Sequence, residues 1–284
     1  MARRALLVGI NDYHRINDLS GCINDVTNLR SVLKTYLGFN NQDIRVLVDD
    51  RAGKAAIMER LKWLVKGAKA GDFLVFHFSG HGSQIRDRDG DELKDRMDEL
   101  LCPWDMDWDG TFITDDDLHG IFKGVPAGAT LEVILDCCHS GTGLRDVELG
   151  RPQELGPVNP QSRPRFLPPP VDIVCRHDGE EDSLKDTRTF LTGRREGTAK
   201  NQILWAGCRS DQTSADADIG GIYNGAFTFY FCKHVRDALG NLSRKDVLQR
   251  VRASLRHYGY SQLPQLECDA GVRDGKPLTP KAKA

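Results

Sequence analysis

The chain has 284 residues, 39% of them hydrophobic and 28% charged, with a formal net charge of -2. That length holds one large α/β domain or two small ones, and the balance is that of a soluble globular protein. The near-neutral charge leaves no basic footprint for nucleic acid and no apolar run reaches bilayer-spanning length, so neither nucleic acid nor membrane is expected as a partner.

The opening apolar run, Ala5 to Ile10, meets Asn11 and Asp12 too soon for a signal peptide and reads as a buried first strand. Further short apolar runs predict strands at Ile44–Val48, Phe73–Phe78, Leu131–Asp136, Gln202–Ala206 and Leu263–Glu267. Between them, Asp25–Leu37, Ala55–Ala68, Ala226–Leu239 and Arg244–Tyr258 carry apolar residues at helical spacing. Strands alternating with helices predict an α/β fold, a single mostly parallel six-stranded sheet sandwiched between helices. Residues that follow each strand, at the carboxyl edge of such a sheet, are where chemistry is expected.

The pattern breaks from residue 144 to residue 200 into Pro- and charge-rich text, including RPRFLPPP and RHDGEEDSLKD. The expected organisation is a large part over residues 1–143, a flexible linker over 144–200, a small part of the same domain over 201–271, and a disordered tail over 272–284. The eight cysteines include no C-x-x-C pair, which argues against zinc fingers and for thiols in a reducing, cytoplasmic compartment.

Two segments stand out, FLVFHFSGHGSQ at residues 73–84 and LEVILDCCHSGTG at residues 131–143, each a buried strand running into a small-residue turn. An imidazole beside a thiol can take its proton and later protonate the leaving amine, and Gly80, Gly82 and Gly141 free backbone N–H groups to face a developing oxyanion. Alternation along the strand lets Asp136 and Cys138 look into one site while Cys137 looks into the fold. His77 lies inside the apolar run and reads as a buried structural histidine, and His139 as facing away from the nucleophile.

SGHG followed by DCCHSG resembles the caspase-like cysteine peptidases, and the spelling DCCHSG resembles the metacaspases. The likeness extends to GCINDV at residues 21–26, to the acidic stretch DGDELKDRMDELLCPWD, to ITDDDL and to AGCRSDQTSAD. It implies a caspase-like fold, His81 as general base, Cys138 as nucleophile, and an oxyanion hole from the N–H groups of Gly82 and Cys138. It also implies a pocket for Arg or Lys at P1 matching Cys22, Asp25, Ser79 and Asp136, since carboxylates attract a basic side chain and repel an acidic one. Protein or peptide substrates with a basic P1 residue and a monomeric state follow from the same likeness.

Calcium stimulation is implied too, with Asp98, Asp115, Asp116 and Asp146 as the matching ligands, although ELKDRMDE departs from the compact acidic turn of relatives. Asp105 to Asp116 has EF-hand spacing without the final Glu or flanking helices, so a hairpin turn at DWDG is expected instead. The linker's basic residues make it a tethered self-substrate of a zymogen, with Arg145, Arg151, Arg163, Arg165, Arg176, Lys185, Arg188, Arg194 and Arg195 as candidate autocleavage points. Because the chain begins almost at its first strand, recruitment through a pro-region is not expected. The rival readings are a catalytically silent caspase-like scaffold and a clan relative with another P1 preference.

Overall fold

The computed structural model describes residues 1–86, 97–138, 162–175, 202–209 and 212–278. The central sheet contains β1 (Arg3–Gly9), β2 (Ile44–Val48), β3 (Phe73–Ser79), β7 (Thr130–Asp136), β9 (Gln202–Ala206) and β12 (Gln265–Glu267). Their order is β12-β9-β7-β3-β1-β2, parallel throughout except for the antiparallel edge strand β12. All six predicted strands are in it. The last begins two residues later than expected because Pro264 has no N–H for a ladder and the Leu263 N–H is taken by Gln212 Oε1 at 2.7 Å.

Alternation along the strands divides the core in two. Leu6, Val8, Leu74, Phe76, Val133 and Leu135 face α2 (Lys54–Val65) and α3 (Asp115–Phe122), which supply Ile57, Leu61, Leu118 and Phe122. Leu7, Val75, Ile134, Ile203 and Trp205 face α1 (Cys22–Tyr36), α5 (Ala226–Asp237) and α6 (Arg244–His257). Strands buried on both faces read as continuous apolar runs, and each large side chain sealed there contributes about 1.5–3 kcal/mol. Beside this sheet, β4 (Gly82–Arg86), β5 (Met97–Leu101) and β6 (Ile113–Thr114) form a small antiparallel sheet.

Two expectations are corrected. Part of the supposed linker is structured: Ser162–Pro164 forms β8, which pairs antiparallel with β10 (Ala215–Asp218), itself paired with β11 (Tyr223–Gly225), and Val171–Cys175 forms the short helix α4. It lacks a period of its own because its backbone partners come from β10. The supposed tail is packed as far as Leu278: after α7 (Ala270–Arg273), the Leu278 side chain is fully buried and its N–H donates to Glu132 Oε1 at 3.1 Å. Glu132 is itself buried and paired with Arg244 and with the Trp205 indole, so the segment ending at Leu278 closes over a buried ion pair.

Candidate active site

β3 and β7 are neighbours in register, Ser79 opposite Asp136, and both stop at the same edge. His81 lies two residues beyond the first strand end and Cys138 two beyond the second, so adjacent parallel strands deliver both to one place. The approach is close enough to require glycine: a Cβ on Gly82 would lie 2.1 Å from the Cys138 carbonyl oxygen, and one on Gly80 would lie 2.6 Å from Tyr13 Oη. Cys137 packs into the α2-side core, while Cys138 clusters with Cys208 and Phe166.

His81 is held from two sides. Its backbone N–H donates to Tyr13 Oη at 2.8 Å, and its Nε2 lies 2.8 Å from the Asn17 carbonyl oxygen. A carbonyl only accepts, so Nε2 carries the hydrogen and Nδ1 is the bare acceptor; Nδ1 is buried with no partner among the described residues. Burial pushes the imidazole down to about 4, against the Asn17 bond that favours the charged form. Burial also pushes the Cys138 thiol up, against the Ser214 N–H that donates to its sulfur. The two groups therefore rest as neutral imidazole and neutral thiol. His77, fully buried inside β3, places Nδ1 3.0 Å from the Ile134 carbonyl oxygen and lies within the strand, away from this edge.

Beside the two groups lies a closed, charged pocket. Asp25 from the first turn of α1, Ser79 from the end of β3 and Asp136 from the end of β7 line it, and Cys22, the first residue of α1, is buried beside them. Ser79 Oγ donates to Asp25 Oδ2 at 2.7 Å, the Gly225 N–H to Asp25 Oδ1 at 2.9 Å, and the Thr228 N–H to Asp136 Oδ2 at 2.9 Å. Asp216 of β10 completes the ring, accepting from the N–H groups of Ser20 and Gly21 at 2.7 and 2.9 Å. Sequence reasoning missed Asp216, although it ends the quoted string AGCRSDQTSAD. Tyr13 and the Asn17 carbonyl were missed as well, and a backbone carbonyl leaves no trace in residue identity.

The chain fills this pocket with its own Arg165. The side chain is fully buried: Nη2 donates to Asp25 Oδ2 and Asp216 Oδ1, both at 2.9 Å, and Nη1 to Ser79 Oγ at 2.8 Å and the Asp136 carbonyl oxygen at 3.1 Å. Burial raises the Asp25 carboxyl to about 8, against the pull of this guanidinium. The Arg165 backbone is gripped too. Its carbonyl oxygen accepts from the Gly82 N–H at 3.0 Å and the Cys138 N–H at 3.3 Å, and its own N–H donates to the Ser214 carbonyl at 3.0 Å. The exposed Arg163 stands opposite Asp216 in the β8–β10 ladder. The other basic candidates, Arg145, Arg151, Arg176, Lys185, Arg188, Arg194 and Arg195, lie outside the described residues, as do His139 and Gly141.

In the acidic region, Asp98 of β5 and Asp115 at the start of α3 are nearly buried, Asp98 two residues before the Leu100–Thr114 pair of the β5–β6 ladder and Asp115 and Asp116 directly after β6. Asp146 lies outside the described residues. Among the described residues no group of three or more acidic, His or Cys side chains converges as a metal site. The EF-hand spacing folds as the end of the β5–β6 loop, strand β6 and the start of α3; in it Asp107 accepts from the N–H groups of Asp109 and Thr111, and Asp105 from the N–H of Lys54.

This architecture is shared with known proteins. Caspase-1 from Spodoptera frugiperda superposes with a TM-score of 0.55 at 14% identity, over 93% of this chain and 85% of its own. A protein from Geobacter sulfurreducens superposes at 0.69 with 22% identity, over 98% and 99% of the two chains. The fold is therefore caspase-like. Residues 3–147 match the family model described as metacaspase, peptidase C14 domain. Metacaspase-1 of Scheffersomyces stipitis is 35% identical over 94% of this chain and 70% of its own length, and that of Schizosaccharomyces pombe 32% over 94% and 67%. The chain belongs to the metacaspase family and is a cysteine-type peptidase.

Proposed function

We propose that the chain is an endopeptidase that cuts after Arg or Lys with Cys138 as nucleophile and His81 as base, and that it cuts its own Arg165–Phe166 bond. The observation that carries this reading is the buried Arg165, whose guanidinium meets Asp25, Asp216 and Ser79 while its carbonyl oxygen accepts from Gly82 and Cys138. Two carboxylates on a desolvated guanidinium reward a P1 cation and penalise an acidic one.

In this mechanism Cys138 Sγ bonds to the Arg165 carbonyl carbon as its proton passes to His81 Nδ1, the bare acceptor. The carbonyl oxygen gains negative charge between the two N–H groups it already touches. Collapse breaks the C–N bond to Phe166, and His81 returns the proton to the departing amine. Water then releases Arg165 from the thioester. Starting from neutral partners, the proton moves as the bond to carbon forms rather than in a resting ion pair.

The proposal extends to calcium stimulation. Asp98, Asp115 and Asp116 suit a hard cation as oxygen donors, with Asp146 as the further ligand. The described donors do not close a site on their own, and no step of the reaction is routed through the ion.

The test is cleavage of peptides with Arg, Lys, Asp or Asn at P1 by wild type and by Cys138→Ala, each with calcium and with chelator, together with intact masses of the protein. Cleavage after Arg and Lys that depends on Cys138, and fragments ending at Arg165 and starting at Phe166, are the expected results. Cleavage after Asp or Asn alone, or none at all, would overturn the assignment. Equal rates with calcium and chelator would remove the calcium proposal only.

A further inference from the structure

The segment that enters the site continues beyond Arg165 and is held there as firmly as before it. Phe166 is buried against Cys138 and Cys208. Leu167 donates its N–H to the Gly82 carbonyl at 2.9 Å and accepts at its own carbonyl from Ser83 Oγ at 2.6 Å. The pair thus runs parallel to the start of β4, with Phe166 bridged to Gly82. Past Pro168–Pro170 the chain turns into α4, where Ile173 is 5% exposed and belongs to the same core as Ile85 of β4, with Leu167 packed on it.

The geometry points to a built leaving-group side: subsites that take a large apolar or aromatic residue at P1′ and an apolar residue at P2′, the latter bound through its backbone to Gly82 and Ser83. The inference rests on Arg165 being the P1 residue and extends that reading to the substrate class. The enzyme's targets are extended segments in which a basic residue is followed by two apolar ones.

Three observations carry it independently of the P1 pocket. The Phe166 ring enters an apolar cluster containing the sulfur of Cys138 itself, so a charged P1′ side chain would be desolvated without a partner. Gly82 uses both backbone groups on the segment, its N–H on Arg165 and its carbonyl on Leu167, so one residue sets the register across the scissile bond. The Ser83 hydroxyl is buried and spent on the Leu167 carbonyl, beyond the reacting bond. Cys208 is accordingly the specificity-determining side chain at P1′, and Ser83 positions the P2′ backbone.

A matched peptide series on the full-length protein tests this. Ser-Arg-Pro-Arg-Phe-Leu, the same peptide with Asp-Asp after the last Arg, and one with N-methyl-leucine at P2′ are compared by kcat/KM. Occupancy of the site by the chain's own segment slows all three alike and cancels in the ratio. The expected result is a loss of roughly tenfold or more for Asp-Asp and for N-methyl-leucine, which lacks the N–H given to Gly82. Equal kcat/KM for all three, with cleavage after Arg, overturns this inference and leaves the P1 assignment standing. No cleavage after Arg in any of them overturns the P1 assignment and this inference with it.

Discussion

At Gly225 the pocket has no room for a methyl group. A Cβ there would fall 2.2 Å from Asp136 Oδ2, 2.4 Å from Arg165 Nη1 and 2.6 Å from Asp25 Oδ2, inside the space the guanidinium uses. Gly225→Ala is expected to abolish self-cleavage and lower kcat/KM on Arg peptides by at least about a hundredfold, an effect of about 2.7 kcal/mol; an unimpaired enzyme would show that P1 binds elsewhere. Cys138, His81 and Asp136 stood out as candidates in the sequence because each ends or follows an apolar run, whereas Asp25, in the helical text GCINDV, was named only through the family resemblance. Asp216 and Asn17 were not legible, because what they contribute is a place in space reached from a loop and from a short strand of the small second sheet.

The elements divide along the same line. β1, β3 and β7 are buried on both faces, and burial writes itself into sequence as an unbroken apolar run. β8 contains Arg163 and Pro164, has no apolar face, and takes its form from β10, so nothing within Ser162–Pro164 announces a strand. Its Pro164 is tolerated because an edge strand needs no donor toward solvent. Beyond the β10 ladder, β8 is anchored by the Arg165 side chain that follows it. Arg165→Ala removes the contacts to Asp25, Asp216 and Ser79, and amide exchange in a peptide covering residues 162–167 is expected to become faster by at least about tenfold, with strands β3 and β7 unchanged. Unchanged protection would mean that β10 and the apolar contacts of Phe166 suffice.

Across the whole molecule, buried titratable groups set an acid and an alkaline slope. His77 and His81 are both pushed by burial from 6.5 to about 4, so the unfolded chain binds more protons than the folded one in that window and stability is lost as pH falls through it. Asp25, raised from 3.8 to about 8, acts in the opposite sense, and above pH 6.5 it acts without the histidines. The melting temperature should peak near pH 6.5, drop towards pH 4 and decline more gently towards pH 8; a midpoint still climbing from 6.5 to 8 would refute this balance. The six-stranded sheet was legible as a whole because one domain had to collect strands from both sides of the Pro-rich region. The packing of residues 272–278 was not, since KPLTP has the composition of a tail, and its place to dock is made by the buried Glu132–Arg244 pair and the core that takes Val272 and Leu278.

In the proposed self-cleavage the Arg165–Phe166 bond is presented by its own chain, with the Arg165 carbonyl already on the N–H groups of Gly82 and Cys138, and that would fix the kinetic order of the first cut. The encounter is intramolecular, so its local concentration is set by chain geometry rather than by how much protein is present. Diluting the enzyme a hundredfold should leave the half-time of that cut unchanged, while a second-order reaction between two copies would slow in proportion. Maturation would then act as a clock wound within each molecule, indifferent to crowding by its siblings.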